Sequence, residues 1–166
     1  MKPQKYSSAD TSINTVNLVY KSFKFPEGSL ILDYGGGKYD SNVNYMKKLG
    51  VDVLVFDPFN RTKAHNQKVL DYVSKYKPDF IINSNVLNVI AEDDIVLDVI
   101  KTIKKLSGSK TTVIFAIYEG NKTGVGKVTT KGYQRNLKTA AYVPIISSVF
   151  PNVKRKSTFI IASKSL

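Results

Sequence analysis

The sequence predicts a single α/β domain, a mostly parallel sheet with helices on both faces that ends in a carboxy-terminal antiparallel hairpin. Three observations predict it. Short apolar runs alternate with stretches of helical periodicity, the pattern of strand–helix–strand units building a parallel sheet. The first run, Leu30-Ile31-Leu32, ends on Asp33 and opens into Gly35-Gly36-Gly37 just ahead of a helix. A second run ends on Asp57, at the interval of about 20 residues where such folds place an acid for a ribose hydroxyl pair. Together they define a Rossmann-like element for an adenosine-type cofactor, because glycines let a ligand approach the backbone and a helix start offers unpaired N–H groups.

The elements follow in order. Residues 1–9 read as a polar arm, and a helix is expected from Thr11 to Phe23, capped by Asp10 or Ser12. After the Leu30–Leu32 strand and the glycine turn, Asp40-Ser41 caps a helix over Asn42–Leu49. Val51–Phe56 is the second strand, Pro58–Thr62 a loop, and Ala64–Tyr76 a helix burying Val69, Leu70 and Val73. Pro78-Asp79 stops it before a third strand, Phe80–Ile82. Glu92-Asp93-Asp94 opens a helix to Leu106 with acids that match its dipole, and Thr111–Ile117 is the fourth strand. Tyr118–Lys138 is a long, glycine-rich, basic loop, the kind that is functional or disordered in a compact domain. Thr139–Val149 reads as the last helix, and Pro151–Lys156 with Thr158–Ser163 as the hairpin. The chain, 1–166, is one domain, with 118–138 as a substrate lid. Ligands in such sheets bind at the carboxyl ends of the strands, where the glycine turn, Asp57, Asn83–Asn88 and the long loop converge.

Composition limits the chemistry. The 166 residues, 42% hydrophobic, suffice for one core. No apolar run approaches the roughly 18 residues of a membrane span, and the amino terminus lacks the apolar core of a secretion signal. A cytoplasmic protein is expected, in the host cytoplasm if the chain is viral. With no cysteine and one histidine, His65, no disulfide, thiolate metal site or cysteine nucleophile is available, and no metal is expected. The net charge of +12 is uneven. Residues 30–100 carry eight Lys/Arg and ten Asp/Glu, whereas 101–166 carry thirteen and one, Glu119. A basic carboxy-terminal half suggests DNA or RNA as partner; the alternative is a lysine-rich surface that adds only solubility.

Asp33-Tyr-Gly-Gly-Gly37 resembles the first motif of the class I S-adenosylmethionine-dependent methyltransferases, and Asp57 resembles the acid closing their second strand. More narrowly, four segments resemble small phage-type methyltransferases and the putative methyltransferase associated with DNA phosphorothioation: Asp33–Asp40, Asp57–Arg61, Val86–Ile90 and Gly124–Arg135. The resemblance implies S-adenosylmethionine as cofactor and S-adenosylhomocysteine as product. It implies that Gly35, Gly36 and Gly37 lie under the methionine part with Asp33 near its ammonium. It also implies that Asp57 accepts both ribose hydroxyls, that Pro58 and Phe59 border the adenine, and that Asn83, Ser84 and Asn85 border the reactive methyl. Two departures stand out. Tyr39 occupies a place where many class I enzymes have another glycine, and no strand is evident between the Ala64 helix and Phe80, so one usual edge strand is missing.

Methyl transfer needs alignment and an acceptor that can lose a proton. The absence of cysteine excludes cytosine-C5 methylation. Asn83-Ser-Asn-Val86 stands where amine methylases of DNA bases carry Asp/Asn-Pro-Pro-Tyr/Phe, which disfavours that group. Asn83 and Asn85 are catalytic candidates or strand-end caps. Glu119 is the general-base candidate of the carboxy-terminal half or a partner of nearby lysines. Lys127, Lys131 and Arg135 are candidate phosphate ligands, and Tyr118 and Tyr133 candidate stacking groups. His65 reads as a helix-start or cofactor-edge residue. The leading expectation is a methyltransferase acting on nucleic acid or another anionic substrate. The alternative is a non-catalytic S-adenosylmethionine-binding protein that sequesters or senses the cofactor. The glycine spacing is not that of a nicotinamide site.

Overall fold

The structure, a computed structural model, describes residues 4–6 and 12–165. Six strands form the main sheet: β1 (Leu30–Tyr34), β2 (Asp52–Phe56), β3 (Phe80–Ser84), β4 (Thr112–Ala116) and, after two intervening short strands, β7 (Asn152–Lys156) and β8 (Phe159–Ser163). Their order is β2-β1-β3-β4-β8-β7. β2, β1, β3 and β4 are parallel, while β8 and β7 run antiparallel. The intervening β5 (Lys127–Thr129) and β6 (Gly132–Gln134) form a separate antiparallel hairpin. No strand lies between α3 (Lys63–Lys75) and β3, so β2 is the sheet's edge, as the sequence indicated.

The central strands are apolar over most of their length because both their faces are covered, with Asp33 and Asn83 as buried exceptions towards their carboxyl ends. Ile31 and Leu32, adjacent in β1, are both 0% exposed. One face packs against α3, α4 (Asp93–Leu106) and α5 (Val143–Ser147) through Val73, Ile100, Ile103 and Ile146. The other packs against α1 (Leu18–Ser22) and α2 (Ser41–Lys47) through Val19, Tyr20 and Met46. Each such aliphatic side chain contributes about 1.5–3 kcal/mol on burial.

Three expected elements differ. Asp10 and Thr11 lie outside the described residues, and the first helix is confined to Leu18–Ser22; residues 12–17 instead run as irregular chain. The sequence there lacks a sustained 3.6-residue apolar stripe, with Ile13 59% exposed and Leu18 69% exposed. The expected Thr139–Val149 helix is a 3₁₀ turn, Thr139–Tyr142, running into α5, where Pro144 sits in the first turn and supplies no N–H. The Tyr118–Lys138 loop contains the β5–β6 hairpin rather than irregular chain alone. Among the described residues no helix is long and apolar enough to cross a membrane.

Candidate functional site

At the carboxyl ends of β1, β2 and β3 lies a cleft of about 560 Å³. Its floor is the glycine turn. Gly35 and Gly37 have φ of +92° and +80°, a left-handed backbone that side-chain-bearing residues rarely adopt. Gly36 has an ordinary φ and is glycine for space, since a Cβ there would stand 2.8 Å from both Asp33 Cγ and Val55 Cγ1.

Two residues of the loop after β2 fasten this turn. Asp57 Oδ2 accepts the Gly37 N–H at 2.9 Å, while Oδ1 accepts those of Phe59 and Asn60 at 2.9 and 3.0 Å. Arg61 donates to the carbonyls of Gly37 and Tyr39 and pairs with Asp40 at 2.8 Å. Gly37 is thus held by its N–H and its C=O from one short loop. Asn66, 8% exposed, then orients Asp57 by bonding both its N–H and its C=O. Asp57 lines the cleft together with Pro58 and Phe59, whose ring is 47% exposed.

Asp33 is placed differently. It does not line the cleft but lies beneath Gly36, 0% exposed, with Oδ2 accepting the Tyr20 hydroxyl at 2.6 Å and Oδ1 unpartnered. Burial raises its carboxyl to about 6, against a lowering by the Tyr20 hydrogen bond. It offers no atom to the cleft.

The segment after β3 forms a second wall. Asn85 is exposed, adopts φ +57° and lines the cleft beside Ser84. Asn83, expected at the reacting methyl, is 0% exposed and donates to the Tyr34 carbonyl at 2.7 Å; it does not line the cleft. Asn83 turns into the core, while Ser84 at the strand's end and Asn85 in the left-handed turn beyond it line the cleft. Behind them Asn88, 1% exposed with Oδ1 unpartnered, lines the cleft with Ile90, Ile95 and Val99.

The roof has two parts. Gln4, Ser12, Ile13, Thr15 and Asn17 line the cleft from the amino-terminal side, and Tyr118 and Gln134 from the hairpin side. Tyr6 stacks on Tyr133, ring centroids 5.6 Å apart at 9°, which joins the two parts and takes Tyr133 away from the cleft lining. Arg135, expected on phosphates, is spent on the carbonyls of Ile90 and Ala91 and on Asp93, so it latches the hairpin to the start of α4. Asn136 ties the loop internally, accepting from Asn121 N and donating to Val125 O. Lys127 and Lys131 are exposed on the hairpin. Glu119, the expected base, accepts the Thr139 N–H and hydroxyl; that backbone hydrogen bond, first among its partners, holds its carboxyl below the usual range. It does not line the cleft. His65 sits in the first turn of α3, its Nε2 on the Val55 carbonyl at 2.7 Å.

Sequence reasoning did not single out the side chains of Arg61, Asn66, Asn88 and Gln134. Arg61 lay within a recognised segment, but only the positive φ of Gly37 and its exposed carbonyl reveal what a guanidinium does there.

The strand order, the glycine turn and the acid at the end of β2 make this the class I methyltransferase fold. No family model matches the sequence, and no curated protein matches it. Among solved structures, the chain is similar to a TehB-like S-adenosylmethionine-dependent methyltransferase from Corynebacterium glutamicum, with TM-score 0.51 and 18% identity over 87% of this chain and 83% of that one. It is similar to a Burkholderia thailandensis 1,6-didemethyltoxoflavin-N1-methyltransferase, solved with 1,6-didemethyltoxoflavin and S-adenosylhomocysteine, with TM-score 0.58 and 14% identity over 84% and 72%. It is also similar to the CcbJ methyltransferase from Streptomyces caelestis, with TM-score 0.52 and 9% identity over 90% and 95%.

Proposed function

We propose that the chain is an S-adenosylmethionine-dependent methyltransferase whose acceptor is presented on DNA or RNA. The observation that carries the cofactor is the glycine turn fastened by Asp57 and Arg61, open to the cleft with no room for a Cβ at Gly36. Such a cradle suits the methionine part, with the ribose on the free lone pair of Asp57 Oδ2 and the adenine on Phe59. Three Asp57 lone pairs already hold backbone N–H groups, so a ribose accepted by both oxygens has to displace one of them. Methyl donors of this kind supply a carbon on a positively charged sulfur; this chain's task is to align an acceptor with it and to exclude water.

Support for a nucleic-acid acceptor comes from the exposed Lys122, Lys127, Lys131 and Lys138 around the cleft's roof, and from the narrower likeness to phage-type methyltransferases, of which segments 33–40, 57–61 and 86–90 contribute cleft residues. The carboxy-terminal cations form more than one patch. Lys101, Lys104, Lys105 and Lys164 instead ring a shallow depression at the far end of α4. Calorimetry should show S-adenosylmethionine and S-adenosylhomocysteine binding and NAD not binding. Turnover to S-adenosylhomocysteine on supplied oligonucleotides separates a methyltransferase from a sequestering protein; binding without turnover on any oligonucleotide would reject the enzyme.

A further inference from the structure

The chain carries a net charge of +12, yet among the described residues the cleft is lined by one charged side chain, Asp57. Its other polar lining is amide and hydroxyl. Asn85 and Asn88 come from the wall after β3, Gln4 and Gln134 from the two halves of the roof, and Tyr118 adds a ring and a hydroxyl. Asn88 is the informative member. It is 1% exposed, and its Oδ1 is buried without a hydrogen bond, an arrangement that stays unfavourable until a donor arrives. Its backbone carbonyl accepts Arg135 N at 2.9 Å, so the residue is fixed to the latched hairpin and cannot swing away without opening the roof.

An anionic reacting group would find no cationic side chain in such a lining, only the donor's own sulfonium, and would give up its hydration to enter. A hydroxyl would need a base. Glu119 is bound to Thr139 outside the cleft, and Asp57 already accepts three N–H groups. A neutral amino nitrogen needs neither a cation nor prior proton loss: an acceptor on its N–H helps draw the lone pair out of conjugation as the N–C bond forms, and the proton leaves afterwards.

Resting on the methyltransferase reading above, we infer that the acceptor end of this cleft takes an uncharged planar nitrogen group, which donates an N–H to Asn88 Oδ1 and is methylated on nitrogen. In that transfer the nitrogen lone pair forms the new N–C bond, the electron pair of the broken S–C bond stays on sulfur, and the proton on nitrogen leaves to water. Any phosphates of the substrate remain outside, on Lys127 and Lys131.

The test begins with the protein saturated in S-adenosylhomocysteine. If that ligand fails to bind, the methyltransferase reading itself falls. If it binds, nicotinamide and nicotinate, the same ring uncharged and anionic, are titrated by ligand-observed NMR. Nicotinamide should bind at least tenfold more tightly, and Asn88→Leu should remove that preference. Gln134→Leu, on the hairpin, should reduce it and serves if the first variant does not fold. Equal binding of the two probes, tighter nicotinate, no binding of either, or an Asn88→Leu protein with the preference intact overturns the inference. In a second arm, a 13C-methyl donor is supplied with polyadenylate and polycytidylate. An N-methyl signal is expected, by way of Asn88 rather than the Asn83–Val86 segment that departs from the amine methylases; an O-methyl signal or no transfer overturns it.

Discussion

The floor and the roof of the cleft are built on opposite principles. In the floor, three glycines, Asp57 and Arg61 leave backbone groups bonded to side chains from one neighbouring loop, all within residues 33–66. The roof joins residues far apart in the chain: Tyr6 on Tyr133, Lys5 N on Glu92 and Arg135 on Asp93. The floor therefore depends on local geometry that one side chain can ruin. The roof depends on several separate contacts, each of modest worth. Substitutions in the floor should abolish ligand binding, and those in the roof should change what reaches the ligand.

The sharpest break is Gly36→Ala. Its methyl would stand 2.8 Å from Asp33 Cγ and Val55 Cγ1, and overpacking of that kind costs about 1–3 kcal/mol. S-adenosylhomocysteine affinity should fall about 100-fold or more, worth about 3 kcal/mol, with a lower thermal midpoint; calorimetry and a melting curve read both. Asp57→Ala comes next. It frees the Gly37, Phe59 and Asn60 N–H groups together, and affinity should fall at least about tenfold, since a charge-assisted hydrogen bond is worth roughly 1.5–3 kcal/mol. Unchanged affinity by titration calorimetry would dissolve the ribose assignment.

Asp33→Asn sharpens the comparison from below. The folded protein holds this carboxyl at about 6 against an ordinary 3.8, chiefly through burial. The native state then binds the proton more tightly than the unfolded one, so this contribution is complete below about pH 4 and is lost as pH rises through about 6, by at most about 3 kcal/mol. The amide, which can still accept from Tyr20, should flatten the pH dependence of denaturation between about 4 and 6 and raise stability at neutral pH. It should also weaken S-adenosylmethionine more than 5′-methylthioadenosine, which has no ammonium. Parallel denaturation curves for the two proteins would remove Asp33 from this account.

In the roof, Lys127→Ala with Lys131→Ala should leave cofactor affinity unchanged and lower the slope of log affinity for oligonucleotides against log salt by about 1.5, at about 0.7–0.9 per phosphate contact. Filter binding across a salt series measures it. Arg135→Ala belongs to a different experiment, because that side chain latches the hairpin.

The same contrast explains what could be read in the sequence. The floor was legible: strand, glycines, capped helix and Asp57 lie close together in the chain, and each residue type has one physical reason to be there. Gly36 and Asp57 both line the cleft. The walls were half legible, since Asn83 and Asn85 share a segment and a residue type, yet the core takes one and the left-handed turn exposes the other. The roof was illegible. Nothing local in Gln4, Tyr6 or Gln134 says that they meet, and Arg135 read as a surface cation until the Ile90 and Ala91 carbonyls gave it partners.

The edge at β2 has one further consequence, for self-association. A parallel strand without an outer neighbour offers alternate carbonyls to any passing chain. Phe56 turns its carbonyl inward to Gly35, so that of Val55 faces out, and His65 covers it with Nε2. Covering by an imidazole nitrogen differs from the usual charged edge side chain, because it occupies the carbonyl itself rather than repelling a partner. The strand that leads into Asp57 is thereby closed at Val55 to templated growth into aggregates.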